Sequence, residues 1–266
     1  MVVEITSMLD QLRDNSLETA PTSSSRIALV TGSSSGIGRT VALRLAKEGY
    51  STYITSKSNV DGGMHTVADI AAAGGQATYV RADLTDEDDV GALFSAIRST
   101  SGNLHVLVNN AGHTIPTDFA SASAEHWLEQ FRTNFVSAAL CSQQAAKLML
   151  GSGGGVIVNV ASIRGLPEGV RPGIMAYGAA KAALIHLTKA LARQLAPTIR
   201  VNAVAPGVVE TPYLETVEAP LIEQWRASIP LGRFLTTDEV ADAVLFVIQA
   251  KGMTGEIVVL DCGATL

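Results

Sequence analysis

The segment TGSSSGIG, residues 31–38, constrains the fold more than any other part of the chain. It lies directly between a short apolar run, RIALV, and a stretch, IGRTVALRLAKEG, whose apolar residues recur at three- and four-residue spacing. The run reads as a buried strand and the stretch as an amphipathic helix. Glycines let the backbone turn tightly and approach a pyrophosphate closely, and a helix N-terminus presents unpaired N–H groups to it. The spacing, Gly32-x-x-x-Gly36-x-Gly38, differs from the G-x-G-x-x-G fingerprint of other dinucleotide folds. A glycine-rich turn alone would suit a plain strand-to-helix connection equally well. Its position between strand and helix favours a dinucleotide.

The same alternation continues along the chain. STYITS, ATYVRAD, LHVLVNNAG, VIVNVAS, TIRVNAVAPG and EIVVLD read as further strands. Between them lie helical segments: VDGGMHTVADIAAAG, DEDDVGALFSAIRS with acids in its first turn, one long helix from about Ala124 to Leu150, AYGAAKAALIHLTKALARQLA, and TDEVADAVLFVIQ. This order predicts an α/β fold, a doubly wound parallel sheet of Rossmann type, with about seven strands and helices on both faces. A composition 47% hydrophobic but only 5% aromatic suits strands covered on both sides. A single domain is expected over 26–266. Residues 1–25 read as a tail, with Val3, Met8, Leu9 and Leu12 able to line one side of a short helix. The stretch 207–234, holding Pro212, Pro220 and Pro230, reads as a long irregular segment and hence as a substrate lid.

Several function classes are disfavoured. A formal net charge of -6 and no basic stripe argue against a nucleic-acid partner. No apolar run is long enough to span a membrane, and the first residues do not resemble a secretory signal. Cys141 and Cys262 are too few for a disulfide framework, and the histidines lack metal-ligand spacing, so no metal is expected. A cytoplasmic enzyme is the expectation.

Tyr177 and Lys181 stand four apart in a helical segment and so share a face. An ammonium near a phenol stabilises the phenolate, which makes the tyrosine a usable acid/base near working pH. Alone, such a pair is more often a surface contact. Cofactor choice turns on the end of the second strand, which reads Thr55-Ser56-Lys57-Ser58 with no acid until Asp61. An acid there would repel a ribose 2′-phosphate, whereas Lys57 with the Ser56 and Ser58 hydroxyls favours NADP(H) over NAD(H). A solvated lysine is the competing reading of Lys57. Arg39 is a second candidate for the phosphate, or a solvent-facing residue.

TGSSSGIG, ADLTD (82–86), NNAG (109–112), Asn134, NVAS (159–162), YGAAK (177–181) and VNAVAPGVVETP (201–212) occur in this order. Together they resemble the short-chain dehydrogenase/reductase family in its single-domain form, including its 3-oxoacyl reductase-like members. The resemblance runs from Arg26 to the C-terminus and takes in IPLGRF (229–234) and GEIVVLDCG (255–263). It implies that Gly32, Ser34, Ser35, Ile37 and Gly38 line the pyrophosphate and adenosine side of the cofactor. Asp83 and Leu84 would meet the adenine, and Asn110, Ala111 and Gly112 would pass beside the ribose. Pro206, Gly207, Val209 and Thr211 would contact the nicotinamide. Tyr177 would be the acid/base, Lys181 would bind the ribose hydroxyls and tune Tyr177, and Ser162 would hold the substrate oxygen. Asn134 would hold a water linking Lys181 to solvent. The substrate would be a small carbonyl or alcohol, and the family habit implies a homotetramer or homodimer.

Some residues depart from the family pattern. The gap between Ser162 and Tyr177 is slightly long, and Cys262 stands where a glycine is common. LMLGSGGG carries no basic residue where members acting on carrier-protein substrates often have one. Arg164, Glu168 and Arg171 read as solvated loop charges, with recognition of a polar or acidic substrate as the alternative. The pocket is expected from 113–119, 163–170 and 209–227. Two rival functions are a catalytically inactive NADP(H)-binding regulator and an NAD-dependent alcohol or sugar dehydrogenase of the same family. Epimerase or dehydratase chemistry would want a larger C-terminal substrate domain.

Overall fold

The computed structural model describes residues 26–266, so the expected tail, 1–25, lies outside the described residues. Strands β1 (Arg26–Val30), β2 (Tyr50–Ser56), β3 (Gln76–Arg81), β4 (Val106–Asn109), β5 (Gly155–Val160), β6 (Ile199–Pro206) and β7 (Ile257–Leu260) form one sheet. All pairings are parallel, in the order β3-β2-β1-β4-β5-β6-β7. The helices are α1 (Gly36–Lys47), α2 (Val60–Ala72), α3 (Glu87–Ser101), α4 (Ala124–Phe131), α5 (Ser137–Leu150), α6 (Met175–Leu195), α7 (Ala219–Ala227) and α8 (Thr237–Gln249). The expected fold class is the observed one.

Alternate residues of β1 show why its run is apolar throughout. Ala28 and Val30 pack with Val41 and Leu45 of α1 and Val240 and Val244 of α8. Ile27 and Leu29 pack on the other side, with Leu93 and Ile97 of α3 and Cys141 of α5. Side chains alternate across a strand, so helices on both faces require apolar residues at every position. Inside this apolar sheet lies one polar tie. Asn109 Nδ2 donates to Asn159 Oδ1 at 2.8 Å and to Ser142 Oγ at 2.9 Å, and Asn159 Nδ2 donates to Thr188 Oγ1 at 2.9 Å. It joins β4, β5, α5 and α6 just beneath the sheet's carboxyl edge.

The strand order reverses between β1 and β4, which opens a crevice at their carboxyl ends. Thr31 fixes that junction: its Oγ1 accepts from the backbone N–H groups of Asn110 and Ala111, both at 2.9 Å. Ser33 ties the glycine turn to β2, accepting from Thr55 N at 3.1 Å.

Two expectations need correction. The long helix expected over 124–150 contains a π-helical turn, Arg132–Val136, between α4 and α5. Such turns insert one residue into the ladder and re-aim the side chains around it, and Asn134 lies within this one. The stretch 207–234 is not irregular throughout. It holds a 3-10 turn, Pro212–Thr216, and helix α7. Pro212 and Pro220 sit in the first positions of these elements, where a missing N–H costs nothing. They start helices rather than break them.

Arg200 on β6 closes the far end of the sheet. Its Nη1 donates to the carbonyls of Val247, Ala250 and Met253 at 3.2, 3.0 and 2.9 Å. Ala250 O also accepts from Met253 N and Met253 O from Asn202 Nδ2, whereas Val247 O and Ile248 O, in the last turn of α8, rely on Arg200. Arg200→Met should lower unfolding free energy by about 1–3 kcal/mol by orphaning these two acceptors. Urea denaturation checks this, and a loss below about 0.5 kcal/mol would contradict it.

Candidate active site

Helix α1 begins without the usual protection. Its N-cap, Ser35, makes no side-chain capping bond, and the first turn holds no acid. By contrast, Asp86 caps α3 and Thr236 with Glu239 forms a capping box on α8. The open N–H groups of α1 therefore remain available to an anion. Gly38 makes the approach possible, because a Cβ there would fall 2.4 Å from both Asn110 Nδ2 and Gly32 O. Asn110 Nδ2 in turn donates to the carbonyls of Thr31 and Gly32 at 2.9 and 3.1 Å. The turn, β4 and α1 are thus locked into one cradle, and the residues present fit a dinucleotide pyrophosphate.

A cleft of about 460 Å³ continues from this cradle, with Gly32, Ser56, Lys57, Asp83, Ala111 and Gly112 in its wall. Ser58 and Leu84 also line it. The structure therefore brings together the residues expected on the adenosine and ribose side. Ser34, Ser35, Ile37 and Gly38 lie at the α1 turn beside it. Pro206, Gly207, Val209 and Thr211 follow the carboxyl end of β6. A Cβ on Gly36 would touch Thr211 Cγ2 at 3.4 Å, which places Thr211 against the start of α1.

The 2′-end is more occupied than expected. Ser56 is only 9% exposed, and its hydroxyl bonds Asn59 O and Tyr79 Oη, each at 2.9 Å. Lys57 pairs with Asp83 at 2.7 Å while its side chain stays 67% exposed. Burial pushes the Asp83 carboxyl up, but hydrogen bonds from Lys57 and Thr85 outweigh this and hold it below its usual range. Arg39 faces Asp69 of α2 in an ion pair.

Ser162, Tyr177, Lys181 and Asn134 converge beyond the carboxyl ends of β4 and β5. Ser162 follows β5 and caps a short 3-10 turn, its Oγ accepting from Arg164 N at 3.1 Å. Tyr177 is in the first turn of α6. Burial raises the phenol's pKa, and Ser162 and the Arg164 charge oppose that rise. Lys181, one turn further on, is 4% exposed and donates to Val160 O at 2.8 Å. Burial pulls its pKa from 10.5 down to about 8. Its Nζ stands 5.7 Å from the centre of the Tyr177 ring. The cation that pulls the phenol's pKa down is Arg164, which the sequence pattern did not single out for that role.

The π-turn sets Asn134. Its Nδ2 donates to His113 O at 2.8 Å and Gln130 O at 3.0 Å, and its buried Oδ1 has no partner. A Cβ on Gly112 would lie 2.5 Å from that Oδ1 and 3.5 Å from Lys181 Nζ, so both atoms flank the same glycine. Gln130, one turn earlier, is 0% exposed with both amide atoms unpartnered. Nothing in the sequence pattern marks Gln130, and Thr31 is legible there only as the first residue of TGSSSGIG, with no sign of its role at the β1–β4 junction.

A glycine cradle at the switch point of a parallel sheet, with a phenol and a buried ammonium beside it, defines a dinucleotide-dependent α/β enzyme. A family profile described as enoyl-(acyl carrier protein) reductase matches residues 32–265. A Streptomyces violaceoruber protein named as ketoacyl reductase 2 of the granaticin polyketide synthase is 42% identical over 246 residues, 90% of this chain and 96% of that one. A 3-oxoacyl-(acyl-carrier-protein) reductase of Staphylococcus aureus is 37% identical over 239 residues, 89% and 96% of the two chains. Among solved structures, an actinorhodin polyketide ketoreductase with NADPH superposes with a TM-score of 0.86 at 33% identity, covering 92% of this chain and 98% of that one. A 7α-hydroxysteroid dehydrogenase complexed with NADH and a 7-oxo bile acid gives 0.84 at 32%, covering 90% and 93%. The chain belongs to the short-chain dehydrogenase/reductase family and is an NAD(P)-dependent oxidoreductase acting on a carbonyl substrate. No helix among the described residues is long and apolar enough to cross a membrane.

The Lys181 charge leaves a measurable mark on stability. Its folded pKa, about 8, lies below the unfolded 10.5, so the folded state disfavours the ammonium at pH 7, and the penalty fades as pH rises through that window. At about 1.36 kcal/mol per unit the penalty is of order 3 kcal/mol at pH 7. Losing the bond to Val160 O offsets about 1–2 kcal/mol of the gain on removal. Lys181→Met should therefore be more stable than wild type by about 1–2 kcal/mol at pH 7, with the advantage shrinking toward pH 9.5. An advantage that grows with pH in urea unfolding would refute this assignment.

Proposed function

We propose that this chain interconverts a ketone and a secondary alcohol with NADP(H) as the preferred cofactor and Tyr177 as the acid/base. The observation that carries the reading is a phenol whose pKa Ser162 pulls down, a buried ammonium 5.7 Å from its ring, and an orphaned amide oxygen that flanks Gly112 together with that ammonium. When bound, the nicotinamide cofactor supplies or accepts the hydride. The chain's own residues manage the oxygen and its proton. Ser162 and Tyr177 aim two hydroxyl donors at the carbonyl oxygen, where negative charge develops, and Tyr177 transfers its proton there. Lys181, still largely protonated below about pH 8, stabilises the phenolate left behind. Asn134 Oδ1 and Lys181 Nζ flank Gly112, a setting for a bridging water that returns the proton. Gly32, Ser34, Ser35, Ile37 and Gly38 would hold the pyrophosphate and adenosine side, and Asp83 and Leu84 the adenine. Asn110, Ala111 and Gly112 would pass beside the ribose, and Pro206, Gly207, Val209 and Thr211 would meet the nicotinamide. We assign 207–234 as the substrate lid.

NADP(H) preference rests on the missing acid after β2 and on Lys57, whose exposed pair with Asp83 is weak and gives way readily to a phosphate. The actinorhodin ketoreductase with NADPH is consistent with it. Relatives named for acyl-carrier-protein substrates support a 3-oxoacyl thioester as a second substrate reading.

Tyr177→Phe should lower kcat by about 10²–10⁴-fold across a panel of ketones and 3-oxoacyl thioesters while NADPH binding is retained. Equal, negligible turnover by wild type and variant, with NADPH still bound, would instead favour a cofactor-binding regulator. Lys57→Asp should reduce the NADPH-to-NADH ratio of kcat/KM by about tenfold or more, as loss of a charge-assisted phosphate contact requires. An unchanged ratio would remove Lys57 from the phosphate site.

A further inference from the structure

The loop between β5 and α6 carries two cations that form no ion pair among the described residues. Elsewhere among the described residues several guanidinium groups are matched, and Arg98 and Arg193, which have no ion pair, are exposed to water. Arg44, Arg132 and Arg233 pair with carboxylates at 2.8, 3.0 and 2.7 Å, and Arg200 is wrapped by carbonyls. Arg164 spends one side-chain donor, on Gly169 O at 3.1 Å, out of the five N–H groups a guanidinium carries. Arg171 makes no side-chain hydrogen bond among the described residues, and its guanidinium lies 4.0 Å over the ring of Trp225 on α7. Neither is the solvated loop charge that the sequence suggests. Both are half-buried, burial lowers both pKa values, and the charge of Arg171 lowers that of Arg164 further. Glu168, between them in sequence, is exposed and forms no ion pair among the described residues.

Their place is specific. The backbone of Arg164 is bonded to Ser162 Oγ, and its charge acts on the Tyr177 phenol. The charge of Arg171 acts on Tyr213, in the 3-10 turn ahead of α7. The cofactor's own phosphates belong at the α1 turn and beside Lys57, so they leave this pair of cations unmatched.

We propose that Arg164 and Arg171 bind a carboxylate of the substrate, so that the enzyme acts on an oxo acid and its hydroxy-acid partner. The inference rests on the reading of Tyr177 and Ser162 as the carbonyl-binding pair. Two like charges drawn out of water beside each other are unfavourable until an anion joins them. A carboxylate removes their repulsion and fills forked donors that have no other acceptor. With its face on Trp225, Arg171 still presents its N–H edge. The same ion pair thereby fastens α7, within the lid segment, over the substrate.

The test pairs each oxo acid from 3-oxobutanoate to 6-oxoheptanoate with its methyl ester. For at least one chain length, wild type should favour the acid in kcat/KM by about tenfold or more, and Arg171→Gln should collapse the acid-to-ester ratio by about tenfold. Arg164→Gln, which also alters the charge near the phenol, should raise the acid's KM more than the ester's. Tryptophan fluorescence supplies a readout independent of turnover. The acid should give a saturable change in wild type, through Trp225, that the ester and Arg171→Gln do not give. Binding of the acid without turnover would uphold the carboxylate site and sink the Tyr177 reading. An acid-to-ester ratio near one, or a ratio unaltered in Arg171→Gln, with no acid-specific fluorescence change would overturn the carboxylate site.

Discussion

The ammonium of Lys181, taken almost wholly out of water, is the constraint on which the rest of the site depends. A lone buried cation is tolerated only where fixed polar groups surround it or where it gives up its proton. Both happen here in part. Val160 O, at the end of β5, accepts one of its N–H groups, while burial brings its pKa to about 8. Asn134 Oδ1 stands nearby with no partner of its own. These atoms come from β5, the π-turn and α6, three elements with no sequence proximity. Their registry is held from below by the Asn109–Asn159–Thr188 tie, which links β4 and β5 to α6. The site's precision thus comes from buried polar contacts between elements rather than from the loops that close over it.

The cofactor side follows a different logic. There the backbone does most of the work, and side chains are removed rather than added. Gly38 has no Cβ because Asn110 and Gly32 O occupy the space, and α1 starts with its N–H groups uncapped. Thr31 then welds the ends of β1 and β4, so the crevice at the switch point is rigid before any ligand arrives. On the proposed reading, with 207–234 as a lid, a rigid cradle on one flank would let the nicotinamide end be positioned without ordering the whole pocket anew.

The strands and most helices were legible because both-face burial forces an unbroken apolar run and helical packing forces a three-to-four residue repeat, as in β1 and α1. The Tyr177–Lys181 spacing was legible for the same reason of periodicity. What escaped depends on contacts between distant residues. The π-turn around Asn134 leaves the apolar repeat of α4 and α5 almost undisturbed, so no local pattern announces it. Prolines in 207–234 suggested irregularity, yet Pro220 lies in the first turn of α7. Thr31, Gln130 and the Lys57–Asp83 pair acquire their meaning only when the switch point is folded. Cys262, noted as an unusual residue at a glycine position, has φ 57°, the left-handed region that favours glycine there. Its side chain is buried, and a left-handed backbone costs a non-glycine residue about 1–2 kcal/mol.

Arg164 joins the two halves of the functional argument. Its positive charge lowers the pKa of the Tyr177 phenol, which burial alone would raise. On the proposed carboxylate site, substrate binding partly neutralises Arg164 and so weakens that pull. The phenol then holds its proton more firmly in the ternary complex than in the free enzyme, which keeps the acid form ready for a carbonyl oxygen. The driving force for transfer comes from the oxygen itself, whose negative charge grows as the C–H bond forms and meets two aimed hydroxyl donors. A neutral substrate would leave the Arg164 charge intact and the phenol more acidic at rest, with less basicity for the reverse reaction. Substrate charge and tyrosine protonation are therefore coupled through one residue, two positions beyond Ser162, whose backbone is bonded to the Ser162 hydroxyl.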